Sequence, residues 1–323
     1  MRKRAIIITS ILVVILLILF YVIPIKISSM IVNYDPYTFS RVLEDDSMRI
    51  NYGIENRVSP ADYGFENYDE FNISSLYDQK KLNTWYLPTA SSSKCIVLVH
   101  GRTSNRLKTM KYLELFRDYG IDSLYNICIP DLRNSGKSEP SKTMMGYKFA
   151  EDLTTYLLFL HQEMKQDTFI LYGFSMGAMA IMTALNRSDL SDTLSQHSIV
   201  FEKLVFDSPL TNVKETLIYN ARDMELPGFL VERGYERFNK LTDGYADSMK
   251  MSYLMEGSNI PLLILMGNTD KLTFYHIMEE EYNKLVNQNI RLETYDSVDH
   301  VKIYQDPRYK KDYSEKVAEF ILE

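Results

Sequence analysis

The sequence predicts an α/β domain in which a mostly parallel sheet is covered by helices on both faces. Three observations carry that expectation. Short, almost continuous apolar runs recur: KCIVLVHG from Lys94, LYNICIPD from Leu124, TFILYGF from Thr168, KLVFD from Lys203, PLLILM from Pro261 and IRLETY from Ile290. Helix-compatible stretches alternate with them, at Leu107 to Tyr119, Tyr147 to Met164, Ala178 to Leu185, Tyr275 to Gln288 and Tyr309 to Leu322. Strands buried on both faces read as such runs, and parallel neighbours need crossovers of this length. The third is Gly173-Phe174-Ser175-Met176-Gly177, a glycine-bracketed serine between an apolar run and a stretch rich in small residues.

Taken in order, the chain opens with MRKR and then 21 uncharged residues, Ala5 to Ile25. As a helix these span about 31 Å, close to the hydrocarbon thickness of a bilayer. A cleaved signal has a shorter apolar core and ends at small residues, and Lys26-Ile27-Ser28-Ser29-Met30 is a poor cleavage site. Residues 1–27 therefore read as a cytoplasmic tail and single-pass anchor. The basic residues before the run, with only Lys26 between it and Arg41, place the rest outside the cell membrane.

Residues 28–67 show no sustained period, are broken by Asp35-Pro36 and Ser59-Pro60, and read as a stalk with one short helix near Thr38 to Ile50, open to protease. The main domain covers 68–323. It starts with two alternating segments around Asp78-Gln79-Lys80, a hairpin signal. About fifty residues, 209–258, interrupt the strand-helix rhythm. Rich in Leu, Met, Phe and Tyr, they read as a helical lid over the strands' C-terminal edge, where open α/β sheets place their sites. Within it Met224, Leu226, Phe229, Leu230 and Phe238 are the apolar residues expected to meet a substrate chain or the membrane surface.

Without Arg2, Lys3 and Arg4 the chain holds 33 basic against 43 acidic residues, which argues against nucleic acid as a partner. Cys95 and Cys128 sit in apolar runs without metal-ligand spacing and read as core. No metal or organic cofactor is implied: H-E-x-x-H, clustered His/Cys ligands and a G-x-G-x-x-G after a strand are all missing from the sequence.

The chemistry centres on Ser175. A sharp strand-to-helix turn exposes such a serine, and the following helix aims its first amides at developing negative charge. The hydroxyl needs a base. Of five histidines, His300 alone follows the last strand at the sheet's C-terminal edge, whereas His100 belongs to a His-Gly turn. The orienting acid is Asp270, four residues beyond the LLILM strand, with Asp207 as the rival; Asp207 otherwise satisfies the turn before Pro209. The oxyanion donors expected are the backbone N–H groups of Met176 and Arg102.

The ordered set His100-Gly101, Asp131-x-Arg133-x-x-Gly136-x-Ser138, Gly173-x-Ser175-x-Gly177, Asp207-Ser208-Pro209, Gly267-x-x-Asp270 and His300 resembles the α/β-hydrolases. It is similar in particular to bacterial membrane-anchored hydrolases with a lysophospholipase- or S9-peptidase-like core. The resemblance covers about Tyr68 to Glu323 and implies the α/β-hydrolase fold, with a Ser175-His300-Asp270 triad cleaving carboxylic esters, or amides, through an acyl-enzyme. The implied partner is a small-molecule ester or lipid-like substrate. Acyl transfer to an alcohol, peptidase action and a non-catalytic surface binding module are the other readings of the same residues. The turn is His-Gly-Arg-Thr where many lipases have His-Gly-Gly-Gly, and no propeller precedes the core.

Overall fold

The computed structural model describes residues 2–286 and 289–323. Among them eight strands form one sheet: β1 (Asp69–Ser74), β2 (Lys81–Leu87), β3 (Lys94–Val99), β4 (Asn126–Asp131), β5 (Thr168–Phe174), β6 (Val200–Asp207), β7 (Leu262–Gly267) and β8 (Ile290–Tyr295). Their spatial order is β1-β2-β4-β3-β5-β6-β7-β8. Strand β2 runs antiparallel to both neighbours, and every other pairing is parallel. The expected hairpin is β1–β2, in register from Asp69 opposite Tyr86 to Ser74 opposite Lys81.

The period of two explains why the runs look continuous. In β3, Cys95, Val97 and Val99 enter the core on one face while Ile96 and Leu98 enter the core on the other. Both cysteines are free and buried. The helices used below are α1 (Arg2–Leu17), α2 (Ile23–Val32), α3 (Tyr147–Gln162), α4 (Met176–Asn186), α5 (Val213–Asp223), α6 (Gly228–Leu241) and α7 (Lys310–Leu322). Leu153 and Leu157 of α3 and Met179 and Met182 of α4 cover one face; Val317 and Ile321 of α7 cover the other. The helix expected to reach Gln288 is shorter, Tyr275–Tyr282, and residues 287 and 288 lie outside the described ones.

Two sequence expectations are corrected by the structure. Residues 28–67 are not an extended stalk. Helices Phe39–Leu43 and Asp46–Tyr52 are capped by Thr38 and Asp45, whose side chains accept from Arg41 N, and from Ser47 N and Met48 N. Val42, Tyr52, Ile54, Tyr63 and Phe65 are buried in the core, and Tyr37–Thr38 pairs in parallel with Ser135–Gly136. These anchors come singly at irregular spacing, so no period announces them.

The apolar N-terminus is also not separate from the domain. Residues Ile6–Val32 form a helix long and apolar enough to cross a membrane, with mean hydropathy 3.3. It passes from α1 through a π-helical turn, Ile18–Val22, into α2. The end of α2 is built into the domain: Pro24, Ser28, Ile31 and Val32 are buried. Helix α6 approaches so closely that a Cβ on Gly234 would lie 2.4 Å from Ile27 Cγ2. Every carbonyl of the last turn of α2 is satisfied, as a buried helix end requires. Ser29 O accepts from Asn33 N at 3.1 Å and Val32 O from Thr143 N at 3.0 Å. Arg102 Nη2 and Nη1 donate to Met30 O and Ile31 O at 2.6 and 3.4 Å.

The insertion is helical, as expected: α5, α6, a 3-10 turn at Tyr245–Ser248 and a short helix at Met251–Leu254.

Candidate active site

The corner after β5 closes because Gly173 and Gly177 carry no Cβ. One added at Gly173 would lie 2.7 Å from Ala178 Cα, and one at Gly177 only 2.1 Å from Val99 O. Ser175 itself has φ 52° and ψ −118°, a backbone conformation that persists only where the surroundings fix it. They do so here. Ser175 N–H donates to Asp207 O at 3.0 Å, and Ser175 O accepts from Leu210 N–H at 3.1 Å. Strained non-glycine residues gather around this corner: Thr103 (φ 50°), Ser208 (φ 49°), Phe274 (φ 52°) and Val301 (φ 51°).

Ser175 lines a cavity of about 540 Å³ together with His300, Arg102 and Met176. His300 arrives on the loop after β8 and Asp270 on the loop after β7. His300 Nδ1 lies 2.7 Å from Asp270 Oδ2. Asp270 also accepts from Leu272 N–H at 2.8 Å and Thr273 N–H at 3.0 Å on Oδ1, and from Thr273 Oγ1–H at 2.9 Å on Oδ2. Burial works to raise the Asp270 pKa, but His300 and these donors outweigh it and hold the carboxyl below its ordinary value. An ionised carboxylate only accepts, so the His300 Nδ1 carries a proton and donates it to Asp270.

Asp207, the rival acid, lies elsewhere. Tyr112 and Tyr313 donate to its Oδ2 at 3.0 and 2.8 Å and Ser208 Oγ to its Oδ1 at 3.0 Å. Burial is the main cause of its raised pKa. Its partners are tyrosine hydroxyls rather than the turn amides expected from Pro209. It still reaches the site indirectly, because Ser208 Oγ accepts from Val301 N–H at 3.0 Å, next to His300.

His100 is structural. Its Nε2 accepts from Leu132 N–H at 2.9 Å, so Nδ1 carries the proton and donates to Gly101 O at 2.8 Å. Burial pushes its pKa down to about 4, so the ring is neutral and fixes the turn that carries Arg102. The motif after β4 supports the same turn. Asp131 accepts from Arg106 N–H and Lys137 N–H at 2.9 and 3.0 Å, and Arg133 pairs with Asp152 and Asp78 at 2.7 Å each. The Met176 amide opens α4, where no carbonyl one turn back within the helix can take it. Among the described residues no group of three or more His, Cys, Asp or Glu is placed to hold a metal ion.

Several cavity residues gave no signal in the sequence. Tyr37, Met48, Asn51 and Tyr52 come from the segment read as a stalk. From the insertion, Leu210, Thr216, Leu217 and Asn220 line the cavity, and none of the five apolar residues expected from the sequence does. Leu230 and Phe238 are buried in packing, whereas Met224 and Phe229 are exposed. Lys108 and Lys302 also line it. Lys302 Nζ donates to Asn51 O and Gln305 Oε1. Among the described residues Lys108 Nζ has no hydrogen-bond acceptor and faces the Tyr52 ring at 5.8 Å.

Residues 94–230 match the family profile of the alpha/beta hydrolase fold. An uncharacterized protein of Bacillus subtilis, YqkD, is 25% identical over 227 residues, 68% of this chain and 67% of that one. The esterase Pf2001 of Pyrococcus furiosus superposes with a TM-score of 0.63 at 24% identity, covering 82% of this chain and 96% of that one. An esterase of Exiguobacterium antarcticum superposes with a TM-score of 0.51 at 15% identity, covering 78% of this chain and 99% of that one. The chain thus has the α/β-hydrolase fold, a mostly parallel central sheet flanked by helices, shared with esterases and other hydrolases among its structural neighbours.

Proposed function

We propose that the protein is a serine hydrolase of carboxylic esters, with Ser175 as nucleophile, His300 as general base and Asp270 as the acid that orients it. The observation that carries this reading is the 2.7 Å contact between His300 Nδ1 and an ionised Asp270, on a cavity that also holds the strained Ser175. His300 Nε2 takes the Ser175 proton as Oγ attacks the carbonyl carbon. The oxyanion rests on the Met176 and Arg102 amides, and His300 then protonates the leaving alcohol. Water activated by the same imidazole releases the acid and frees Ser175. Two pieces of support are independent of the triad: the cavity has room for a small ester, and esterases stand among the structural neighbours.

The N-terminal helix serves in this proposal as a single-pass membrane anchor with the hydrolase domain outside the cell. Support comes from its length and hydropathy and from the basic residues before it. The experiment is fluorophosphonate labelling of the full chain in detergent, followed by a panel of esters of rising acyl length. Labelling and turnover that vanish together in Ser175→Ala are the expected result. A chain that neither labels nor cleaves any ester is not a serine hydrolase.

A further inference from the structure

The anchor run has no slack. Arg4 and Lys26 flank it, and its roughly 31 Å barely exceeds the roughly 30 Å of hydrocarbon it must cross. Yet the hydrolase domain grips the helix inside that run. Partial burial recurs once per turn along one face, with Leu19, Ile23 and Ile27 half-buried and Ile31 buried. Phe20, five residues and about 7.5 Å inside the end of the run, has its ring 6.0 Å from the ring of Phe229 on α6. The Arg233 guanidinium lies 4.9 Å from the same Phe20 ring.

Because Gly234 meets Ile27 while Phe229 meets Phe20, α6 runs parallel to the anchor and its N-terminus points toward the membrane. The turn before it leads in that direction. Met224 and Phe229 there are 59% and 44% exposed, an apolar tip that water would disfavour. Helix α5 joins this tip to the active site. Thr216, Leu217 and Asn220 line the cavity, and Met224 follows Asn220 by one turn on the same face.

We propose that the turn from Met224 to Phe229 lies in the lipid interface around the anchor, and that the substrate is an amphiphile whose apolar chain passes along α5 from that interface to Ser175. The inference rests on the anchor and ester-hydrolase readings above. Contact is apolar rather than electrostatic: around the tip Arg222 and Arg233 are offset by Glu225 and Glu232, so anionic lipid is not required. The arginine heads reach the headgroups along their own stems.

The test uses the full chain in phosphatidylcholine vesicles carrying acyl-chain nitroxide lipid. Single Met224→Cys, Leu12→Cys and Lys165→Cys variants take an environment-sensitive fluorophore, since Cys95 and Cys128 are buried. Quenching of the labels at 12 and 224, with none at the exposed position 165, is expected. A quenched label at 12 beside an unquenched one at 224 overturns the lid placement. An unquenched label at 12 removes the anchor, and the proposal with it. A second arm compares an ester embedded in the vesicles with a soluble short-chain ester. Met224→Asp combined with Phe229→Ser should lower the embedded-to-soluble activity ratio about tenfold, and an unchanged ratio overturns the substrate route. If no variant cleaves either ester, the hydrolase reading and the substrate route fail while the quenching still decides the lid.

Discussion

Arg102 Nη2 donates to Met30 O at 2.6 Å, which ties the end of the N-terminal helix to the turn proposed to stabilise the oxyanion. The side chain closes the helix, and the same residue lines the cavity. A cation at a helix C-terminus also opposes the negative end of its dipole. Burial lowers the Arg102 pKa, and the nearby Tyr34 works the other way.

This linkage changes the expected minimal enzyme. Removing residues 1–67 takes away Val42, Tyr52, Ile54, Tyr63 and Phe65, each no more than 6% exposed. Burial of such side chains contributes about 1.5–3 kcal/mol each, against a net domain stability of about 5–15 kcal/mol. A chain starting at Tyr68 should therefore show no cooperative melt and no turnover. Protease should not release an active 68–323 fragment, contrary to what a stalk implies. Recovery of an active fragment of that size would refute the packing described for 37–65.

Arg102→Met should lower kcat while leaving KM nearly unchanged, because the lost helix-to-turn bond would displace the donor proposed for the transition state. Arg102→Lys keeps one cation but not the fork that reaches Met30, Ile31 and Asn33 carbonyls together, and should restore only part of kcat. A purely structural role predicts loss of melting temperature with kcat per folded molecule intact.

Ser175→Ala and His300→Ala should each remove nearly all turnover, and the double variant should be little worse, since the proposed pair would act as a unit. Asp270→Asn should cost orders of magnitude in kcat with a small change in KM, because it allows the wrong imidazole tautomer. Asp207→Asn tests the alternative. Its folded pKa is raised, chiefly by burial, so any stabilisation from holding the carboxyl protonated is present at acid pH and lost as pH rises through the folded pKa. The melting temperature of Asp207→Asn relative to the parent should therefore improve as pH rises from about 4 to 7. Activity loss in Asp207→Asn with full activity in Asp270→Asn would exchange the two roles.

What the sequence made legible followed from period and chemistry. The strands announced themselves because both faces of β3 to β7 are buried, and Ser175, Asp270 and His300 could be brought to one edge because each follows a strand there. The stalk reading failed for a physical reason. Val42, Tyr52, Ile54 and Tyr63 dock one at a time through capped short helices, so neither a 3.6 nor a 2.0 period appears. The insertion's cavity residues were missed because composition marks apolar residues without saying which face of α5 turns inward. Leu217 is inside and Met224, equally apolar, lies beyond the cavity.

Leu217, on the cavity wall, is therefore the expected chain-length determinant in place of the five apolar residues read from the sequence. Enlarging it, Leu217→Phe, should shorten the longest ester accepted while the shortest is still cleaved, whereas Leu230→Ala, buried in packing, should lower the melting temperature and reduce all esters alike. An acyl-length profile that moves with Leu230 and ignores Leu217 would contradict the cavity assignment.

Lys108 is expected to give the cavity a charge preference. Its Nζ borders the space that holds Ser175 and His300 without a hydrogen-bond acceptor among the described residues, and an anionic group on the substrate would complete it. Burial first, and then the charge of Lys302, push its pKa down to about 8. Below that pH the ammonium is present and attracts an anion; above it the amine is neutral and the attraction is gone. For two esters of equal size, one ending in a carboxylate and one in an amide, the ratio of kcat/KM should favour the carboxylate at pH 7 and fall as pH passes about 8. Lys108→Met should flatten that dependence and lower the ratio at pH 7 by about tenfold or more, the worth of a hydrogen bond to a charged group. Lys108→Arg should keep the preference and carry it to higher pH, because a guanidinium does not deprotonate there. A ratio that follows pH identically in the parent and in Lys108→Met assigns the titration to another group and removes Lys108 from substrate selection.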